Sequence, residues 1–460
     1  MPRSLLRRLR PIDLVAGAAL VAVGAYFAVA AMPWPQAGAS FRLIGPQGEI
    51  VVVQLPELAK IPPLDLPAAC AKVAVHNERA RNLNASSFGH EGEYLHTVYA
   101  AAEAGCSGGE RDYPFYDELG EVLAFGESRG DADQLIAATR EALRRAPSAQ
   151  QAALQLRGLN RRLNPIADQL APELYLIGAE AMEAHLNYCT GEDAAACRVH
   201  SHWARGENLA AAGRWRADAG SLRAGIAAYR EALRDVPDQS KGWIELHTLI
   251  GSALAQLSEN VDQRGSATLL LQALQEYVLA SRAVGPSDQA TWAMINQNVC
   301  SIREPYAAIS KDRAGIRLAI EECEKAGAYY REQGEKSNEA AAHHNMARGY
   351  ARLADWDDEE ASAVRAIEHA RRAVALYGDD DAALSQAFAQ VYLARALLDA
   401  ADFARKRPLD GAEQAQTLLT EARQNLDAAE PVLRGAQAKR YLEPLEDLRR
   451  RLASASNAAS

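Results

Sequence analysis

Six cysteines carry most of the chemistry this chain has to offer. Their positions suggest pairs of neighbours. Cys70 and Cys106 flank one helical hairpin, and Cys189 and Cys197 flank a Thr-Gly-Glu-Asp turn. Cys300 and Cys323 fall on two helices of one repeat unit, at positions that should touch. Six cysteines allow about fifteen connectivities, so three neighbour bonds are an expectation that an oxidising compartment would permit. The alternative is six small buried hydrophobes. The run Cys189-x7-Cys197-x2-His200-x-His202 also holds metal-ligand residue types. Its x7 gap departs from usual zinc spacings, and only Cys197 and His200 would share a helix face. His343 and His344 are adjacent, so on a helix they point about 100° apart and do not share an ion easily. No metal or cofactor is expected. The chain has no phosphate-cradling G-x-x-x-x-G-K-[ST], no G-x-G-x-x-G after a strand and no H-E-x-x-H. No nucleophile–base set stands out, so the chain is not expected to be an enzyme and no catalytic residue is assigned.

The elements that must position these residues show themselves by repetition. Ile226-Ala-Ala-Tyr229-Arg-Glu-Ala232 recurs as Leu274-Gln-Glu-Tyr277-Val-Leu-Ala280, as Ile320-Glu-Glu-Cys323-Glu-Lys-Ala326 and as Ile367-Glu-His-Ala370-Arg-Arg-Ala373, with a weaker copy at Leu419. The steps are 48, 46, 47 and 52 residues. Upstream, Ile136-Ala-Ala-Thr139-Arg-Glu-Ala142 matches the first copy, and a degenerate unit lies near Ile177 to Ala184. A second series of small residues interleaves: Ala204, Gly251, Cys300, Ala347 and Ala394, each preceded by a large apolar residue. Apolar residues at i, i+3 and i+6 form one stripe of a helix. Two alternating striped helices per period describe stacked antiparallel hairpins, none of which buries its stripe alone. The composition fits, because aromatics are only 6% and alanine is abundant, which suits helices better than sheets. A net charge of −10 argues against nucleic acid as a partner.

The N-terminus reads differently. Arg3, Arg7, Arg8 and Arg10 precede an uncharged stretch from Leu14 to Met32. Those 19 residues span about 28 Å as a helix, close to the ~30 Å hydrocarbon core of a bilayer. A cleaved signal peptide competes with an anchor, although its apolar region is shorter and the A-x-A-like Ala37-Gly38-Ala39 lies well past the run. The arginines before the span would keep the N-terminus in the cytoplasm. The rest would then lie in the periplasm of a bacterium, anchored in the inner membrane. Phe41 to Ile44 and Glu49 to Leu55 surround Gly45-Pro46-Gln47-Gly48 and suggest a β-hairpin. Two strands are marginal alone and must lean on the array or on a partner. The expected organisation is a basic segment over 1–12, a transmembrane helix over 13–32, a linker with the hairpin over 33–67, a helical cap over 68–111, a repeat array over 112–454 and a disordered tail over 455–460.

The repeat residues resemble the tetratricopeptide (TPR) family. The family places a large then a small residue in its first helix. Its second helix carries an A-x-x-x-[YF]-x-x-A series, with a proline soon after. Gly225-x-x-x-Tyr229-x-x-Ala232 is followed by Pro237, and Ala273-x-x-x-Tyr277-x-x-Ala280 by Pro286. The period exceeds the family's ~34 residues. Trp292-Ala-Met-Ile-Asn-Gln-Asn-Val-Cys300 looks like the opening of the first helix in an extended bacterial variety. The extra residues would lengthen the helices or the loops between them. The resemblance implies an all-α, TPR-like right-handed solenoid of antiparallel helix pairs, after the transmembrane helix and the hairpin. It also implies that the first helix of each unit lines a concave groove. The position two before the small residue is then Asn298 and Asn345 in successive units, and the position one after it is Arg348 and Arg395. Amides suit a peptide backbone and arginines suit a carboxylate, so an acidic peptide or C-terminus is expected there. A solvated face with intrahelical ion pairs is the alternative. Trp243 and Trp292 recur 49 apart and read as packing anchors. The implied function is a periplasmic scaffold that binds protein or peptide partners of the cell envelope. The alternative is an accessory or regulatory subunit of one inner-membrane complex.

Overall fold

Asp65 opens the helical part of the chain, its carboxylate accepting from the Ala68 N–H at 3.1 Å. Pro67 tolerates that first turn because its missing donor would be unused there. The first helix therefore starts at Leu66, two residues before the expected boundary of the cap. Aspartates recur in this role. Asp112, Asp218, Asp262 and Asp288, with Ser240, each accept from backbone N–H groups at the start of a helix. These caps satisfy donors that a helix leaves open and set the turn between neighbours.

The computed structural model describes residues 40–44, 50–54, 63–82, 89–109, 111–124, 129–169, 173–357, 359–379, 383–407, 411–435 and 439–457. The expected basic segment over 1–12 and transmembrane helix over 13–32 lie outside the described residues. Among the described residues, no helix is long and apolar enough to cross a membrane. Two strands, β1 (Ser40–Ile44) and β2 (Ile50–Gln54), pair antiparallel with Ser40 opposite Gln54 and Ile44 opposite Ile50.

Seventeen α-helices follow among the described residues. They are α1 (Leu66–Asn82), α2 (Gly89–Ser107), α3 (Tyr113–Leu123), α4 (Arg129–Arg145), α5 (Ala149–Gln169) and α6 (Leu174–His185), closed by a 3₁₀ turn over Leu186–Tyr188. Then come α7 (Ala194–Arg216), α8 (Ala219–Leu233), α9 (Lys241–Ser258), α10 (Gln263–Ala283), α11 (Gln289–Ser310) and α12 (Arg313–Gln333). The last are α13 (Lys336–Asp357), α14 (Glu360–Asp379), α15 (Ala383–Arg405), α16 (Gly411–Gly435) and α17 (Lys439–Asn457). Each helix packs on the next, and from α7 to α17 each odd helix also packs on the next odd helix. This is an all-α, helical repeat fold. β2 approaches α8, so the hairpin leans on the helices.

The connections within a unit are short: α11 ends at Ser310 and α12 begins at Arg313. Those helices have 22 and 21 residues, so the long period lies in the helices and not in the loops. Pro237 and Pro286 lie just past α8 and α10, where they cannot interrupt a helix. The expected disordered tail over 455–460 needs correction, because α17 continues to Asn457. Ala455 packs against the C-terminal core, and the Arg405 guanidinium donates to its carbonyl at 2.7 Å. Those contacts offset the entropy of ordering the turn. Residues 458–460 lie outside the described residues.

The core runs along the seam between odd and even helices, and at several crossings a large side chain faces a glycine or two small residues are buried. Tyr229 and Tyr277, 1% and 2% exposed, lie over Gly206 and Gly251. In the next unit the same crossing holds Cys300 against Cys323, joined by a disulfide. Ala347 and Ala370, then Ala394 and Ala422, are the buried small residues of the following units. Large meets glycine and small meets small, so the helices stay close while the volume is filled. Burying a side chain of tyrosine size contributes on the order of 2 kcal/mol.

A Cβ on Gly206 would stand 2.5 Å from Tyr229 Cδ1, and that buried ring has no room to retreat. Gly206→Ala is therefore expected to lower stability by about 1–3 kcal/mol through overpacking, read by chemical denaturation, and adding Tyr229→Leu should recover part of the loss. Unchanged stability in the single variant contradicts this packing.

Candidate functional site

The odd helices α11, α13 and α15 present the residues expected to bind a ligand, and their register follows from the core. Cys300, Ala347 and Ala394 are buried against the even helices. Residues two before or one after them are turned by about 100–200° to the flanks of the same helix. Asn298, Asn345, Arg348 and Arg395 are accordingly half-buried, at the edge where one odd helix meets the next.

That edge is a ladder of ion pairs between helices. Arg348 Nη2 on α13 donates to Glu304 Oε2 on α11 at 2.6 Å, and Arg352 Nε reaches Glu304 Oε1 at 3.4 Å. The Glu304 side chain is only 4% exposed, so two cations on one helix clamp a buried anion on its neighbour. One step along, Arg395 on α15 stands 3.7 Å from Asp355 on α13 and 3.9 Å from Asp399 on its own helix. Arg451 on α17 then donates to Asp399 at 2.9 Å and to Asp402 at 3.2 Å. Burial pushes the Asp399 carboxyl above its usual range, against the opposing pull of Arg451 and Arg395. Arg348 and Arg395 are thus engaged with internal carboxylates. The sequence alternative of an ion-paired face is realised mainly as pairs between helices rather than within one. Spacing alone missed Glu304. Its signal was an acidic residue 44 before Arg348 and 48 before Arg352, one unit away from both.

The two asparagines occupy the same edge. Asn345 Nδ2 lies 4.0 Å from Cys300 Sγ, a weak contact, and the backbone carbonyl of Asn298 accepts from the Ser301 hydroxyl at 2.8 Å. Beside Arg348 the Tyr392 ring receives the guanidinium at 5.9 Å on its face, and the His344 ring sits edge-on at 4.4 Å. His343 turns the other way, its Nδ1 2.8 Å from His369 Nδ1 on α14. The adjacent histidines therefore diverge, as helix geometry requires. Farther back, a groove of about 480 Å³ opens between α7 and the α8–α9 turn, lined by Val199, Trp203, Val236 and Pro237. Burial raises the Glu207 carboxyl there, although the Trp203 indole donates to it at 3.0 Å. Trp243 and Trp292 are half-buried against the cores of their units, which suits the packing role.

The six cysteines lie as three disulfides. Cys70–Cys106 joins α1 to α2, Cys189–Cys197 spans the α6–α7 turn, and Cys300–Cys323 joins α11 to α12, with Cα atoms 5.7, 5.3 and 5.5 Å apart. His200 is exposed. The imidazole that meets the second pair is His185, with Nδ1 3.9 Å and 3.8 Å from the Cys189 and Cys197 sulfurs. The signal for it was the i, i+4 spacing of His185 and Cys189.

No protein-family description matches the chain, and no curated protein is detectably similar to it. Among solved structures, the fold resembles a circular tandem repeat protein with novel repeat topology and enhanced subunit contact surfaces. The TM-score is 0.30 at 12% identity, over 81% of this chain and 98% of that one. So low a score adds nothing to what the helices themselves establish.

Two outcomes follow from this geometry. Glu304→Gln leaves Arg348 and Arg352 facing a neutral amide, and is expected to cost about 2 kcal/mol, read by urea unfolding; no loss contradicts a clamping role. The second concerns pH. Burial lowers His343 to about 4, helped by the neighbouring His369 and Arg372 and resisted by Glu339, and lowers His344 to about 3, helped by Arg348. His369 is also lowered by burial, against Glu368 and Glu324. The unfolded chain binds protons on these rings below a pH of about 6.5, while the folded chain does not. Their contribution is therefore intact above that pH and drains away as pH falls toward 4. His343→Gln with His344→Gln should flatten the decline of the thermal midpoint; parallel curves for both proteins contradict it.

Proposed function

We propose that this chain is a TPR-like scaffold that binds protein or peptide partners along its odd helices, tethered by its N-terminal segment in the bacterial inner membrane with the array in the periplasm. The observation that carries the binding reading is the juxtaposition of Asn298, Asn345 and Arg395 on α11, α13 and α15, helices that touch in sequence. All three are half-buried, the asparagines two positions before the small core residue of their helices and Arg395 one position after it. An extended peptide laid across α11 and α13 would meet an amide on each, and amides supply both a donor and an acceptor to its backbone. Arg395 is 40% exposed and its internal partners stand at 3.7 and 3.9 Å, so it is the cation best placed to take a ligand carboxylate. Arg348 would serve the ladder first, because removing it from Glu304 strands a buried charge.

The TPR-like reading is supported by the starts of α7, α9, α11, α13 and α15 at residues 194, 241, 289, 336 and 383, which keep the beat of about 47 residues. The tether rests on the arginine-led apolar run before residue 33. Tethering would raise the effective concentration of the array near membrane partners without adding any contact. Three disulfides suit an oxidising compartment. The same tether is compatible with a second reading, an accessory subunit of one inner-membrane complex that docks through the N-terminal helix and hairpin.

Mild-detergent capture from native membranes separates the two readings. The full chain and a chain lacking residues 1–40 are compared, each also as Asn298→Ala/Asn345→Ala/Arg395→Glu. A scaffold keeps several partners without residues 1–40 and loses them with the triple variant at unchanged helicity. Capture that ignores the triple variant removes the proposed face, and one partner lost with residues 1–40 favours the subunit.

A further inference from the structure

The turn between α6 and α7 holds a donor set that the scaffold reading does not use. His185 Nδ1, Cys189 Sγ and Cys197 Sγ all lie within 4.8 Å of one another. His185 is only 2% exposed, yet its ring nitrogen faces both sulfurs. Ser201 Oγ completes the cluster, 2.7 Å from His185 Nδ1 and 3.6 Å from Cys189 Sγ. The three donors come from three pieces of backbone: the end of α6, the residue after the 3₁₀ turn and the first turn of α7. Each sulfur is half-buried beside an exposed turn over Thr190–Asp193. Cys300 and Cys323, by contrast, are each 1% exposed, out of reach of a reductant in the folded chain.

We propose that the reduced Cys189–Cys197 pair and His185 form a redox-gated site for a thiophilic d10 cation, Zn²⁺ or Cu⁺. Tetrahedral zinc, with sulfur at ~2.3 Å and nitrogen at ~2.0 Å, holds such donors about 3.6 Å apart. The two nitrogen–sulfur distances of 3.9 and 3.8 Å are already near that value. Only the sulfurs must separate, to about 3.8 Å, once their bond is gone. Their Cα atoms are 5.3 Å apart and joined by a short loop, so both thiols stay beside the imidazole. Three protein ligands leave a fourth position for water or for Ser201 Oγ.

The gating step balances as a thiol–disulfide exchange. An external dithiol attacks one sulfur, the Cys189–Cys197 bond breaks and the bond of the external disulfide forms. Two electrons and two protons pass to the protein, which then carries two thiols. The cation displaces both thiol protons to solvent and is held by two thiolates. His185 binds through Nδ1 in the tautomer with its proton on Nε2, exchanging its Ser201 contact for the metal. The oxidised chain lacks both thiolates and holds no metal there.

The test uses the full chain, oxidised and reduced under anaerobic conditions, with zinc counted by elemental mass spectrometry and Co²⁺ as a spectroscopic probe. The expected result is no zinc on the oxidised chain and one per reduced chain, with a thiolate-to-cobalt charge-transfer band. His185→Gln should weaken binding by at least about tenfold, the loss already usual for an outer partner of a metal site. A parallel chain carries Cys70→Ala, Cys106→Ala, Cys300→Ala and Cys323→Ala, so that the remaining thiols alone report, with far-ultraviolet circular dichroism confirming its helices. If that chain does not fold, Cys189→Ser/Cys197→Ser in the otherwise native chain answers the same question by loss of the metal. A reduced chain without bound zinc, zinc that survives Cys189→Ser/Cys197→Ser, or an affinity indifferent to His185→Gln each overturns the proposal. Anchor and groove play no part in it, so its failure leaves the scaffold reading untouched.

Discussion

The structure depends on matched volume at the crossing of each odd helix with the even helix that follows. A single hairpin has an apolar stripe that it cannot cover, so each unit is stable only when its neighbours are in place. Close approach of the two backbones is then a condition for every other contact. Tyr229 over Gly206 and Tyr277 over Gly251 meet it with a ring and a hydrogen atom. Cys300 with Cys323 meets it with a covalent bond, and the later units carry buried alanines at the corresponding positions. These different residue choices all serve the same hairpin.

Polar contacts are layered on that frame. Between odd helices the buried Glu304 draws Arg348 and Arg352 onto α11, and Arg395 and Arg451 continue the pairing as far as α17. The ladder gives the edge electrostatic register, since a slip of one helix against the next would strand a buried carboxylate. It also limits what the edge can bind. A ligand carboxylate competes with internal acids for every arginine there, and the competition is easiest where the internal pair is longest and most exposed, at Arg395. Asn345 gives up only a weak 4.0 Å contact with Cys300 Sγ.

The three disulfides have different surroundings and hence different work. Cys300–Cys323 is sealed inside a crossing and acts on packing. Cys70–Cys106 ties α1 to α2 at the first end of the array, where no preceding helix is described to cover the stripe. Cys189–Cys197 closes a short exposed turn and touches an imidazole, which makes it the pair with chemistry beyond cross-linking.

The helical character, the alternation of helices and the pairing of the cysteines were legible from the chain because they depend on local rules. Apolar stripes recur at helical spacing, small and large residues recur at a fixed step, and the cysteine partners sit on elements that are neighbours in the chain. The hairpin was legible for the same reason, through valines around a Gly-Pro-x-Gly turn. What only the tertiary structure decided lies between elements that are not consecutive. Glu304 meets Arg348 across a whole unit, His343 meets His369, and His185 displaces His200 as the imidazole beside the sulfurs. Each depends on the rotation of one helix against another, which packing sets and residue spacing along one helix does not encode. The end of α17 is a further case: alanine favours a helix locally, but the contacts that hold Ala455 come from a core and an arginine some fifty residues earlier in the chain.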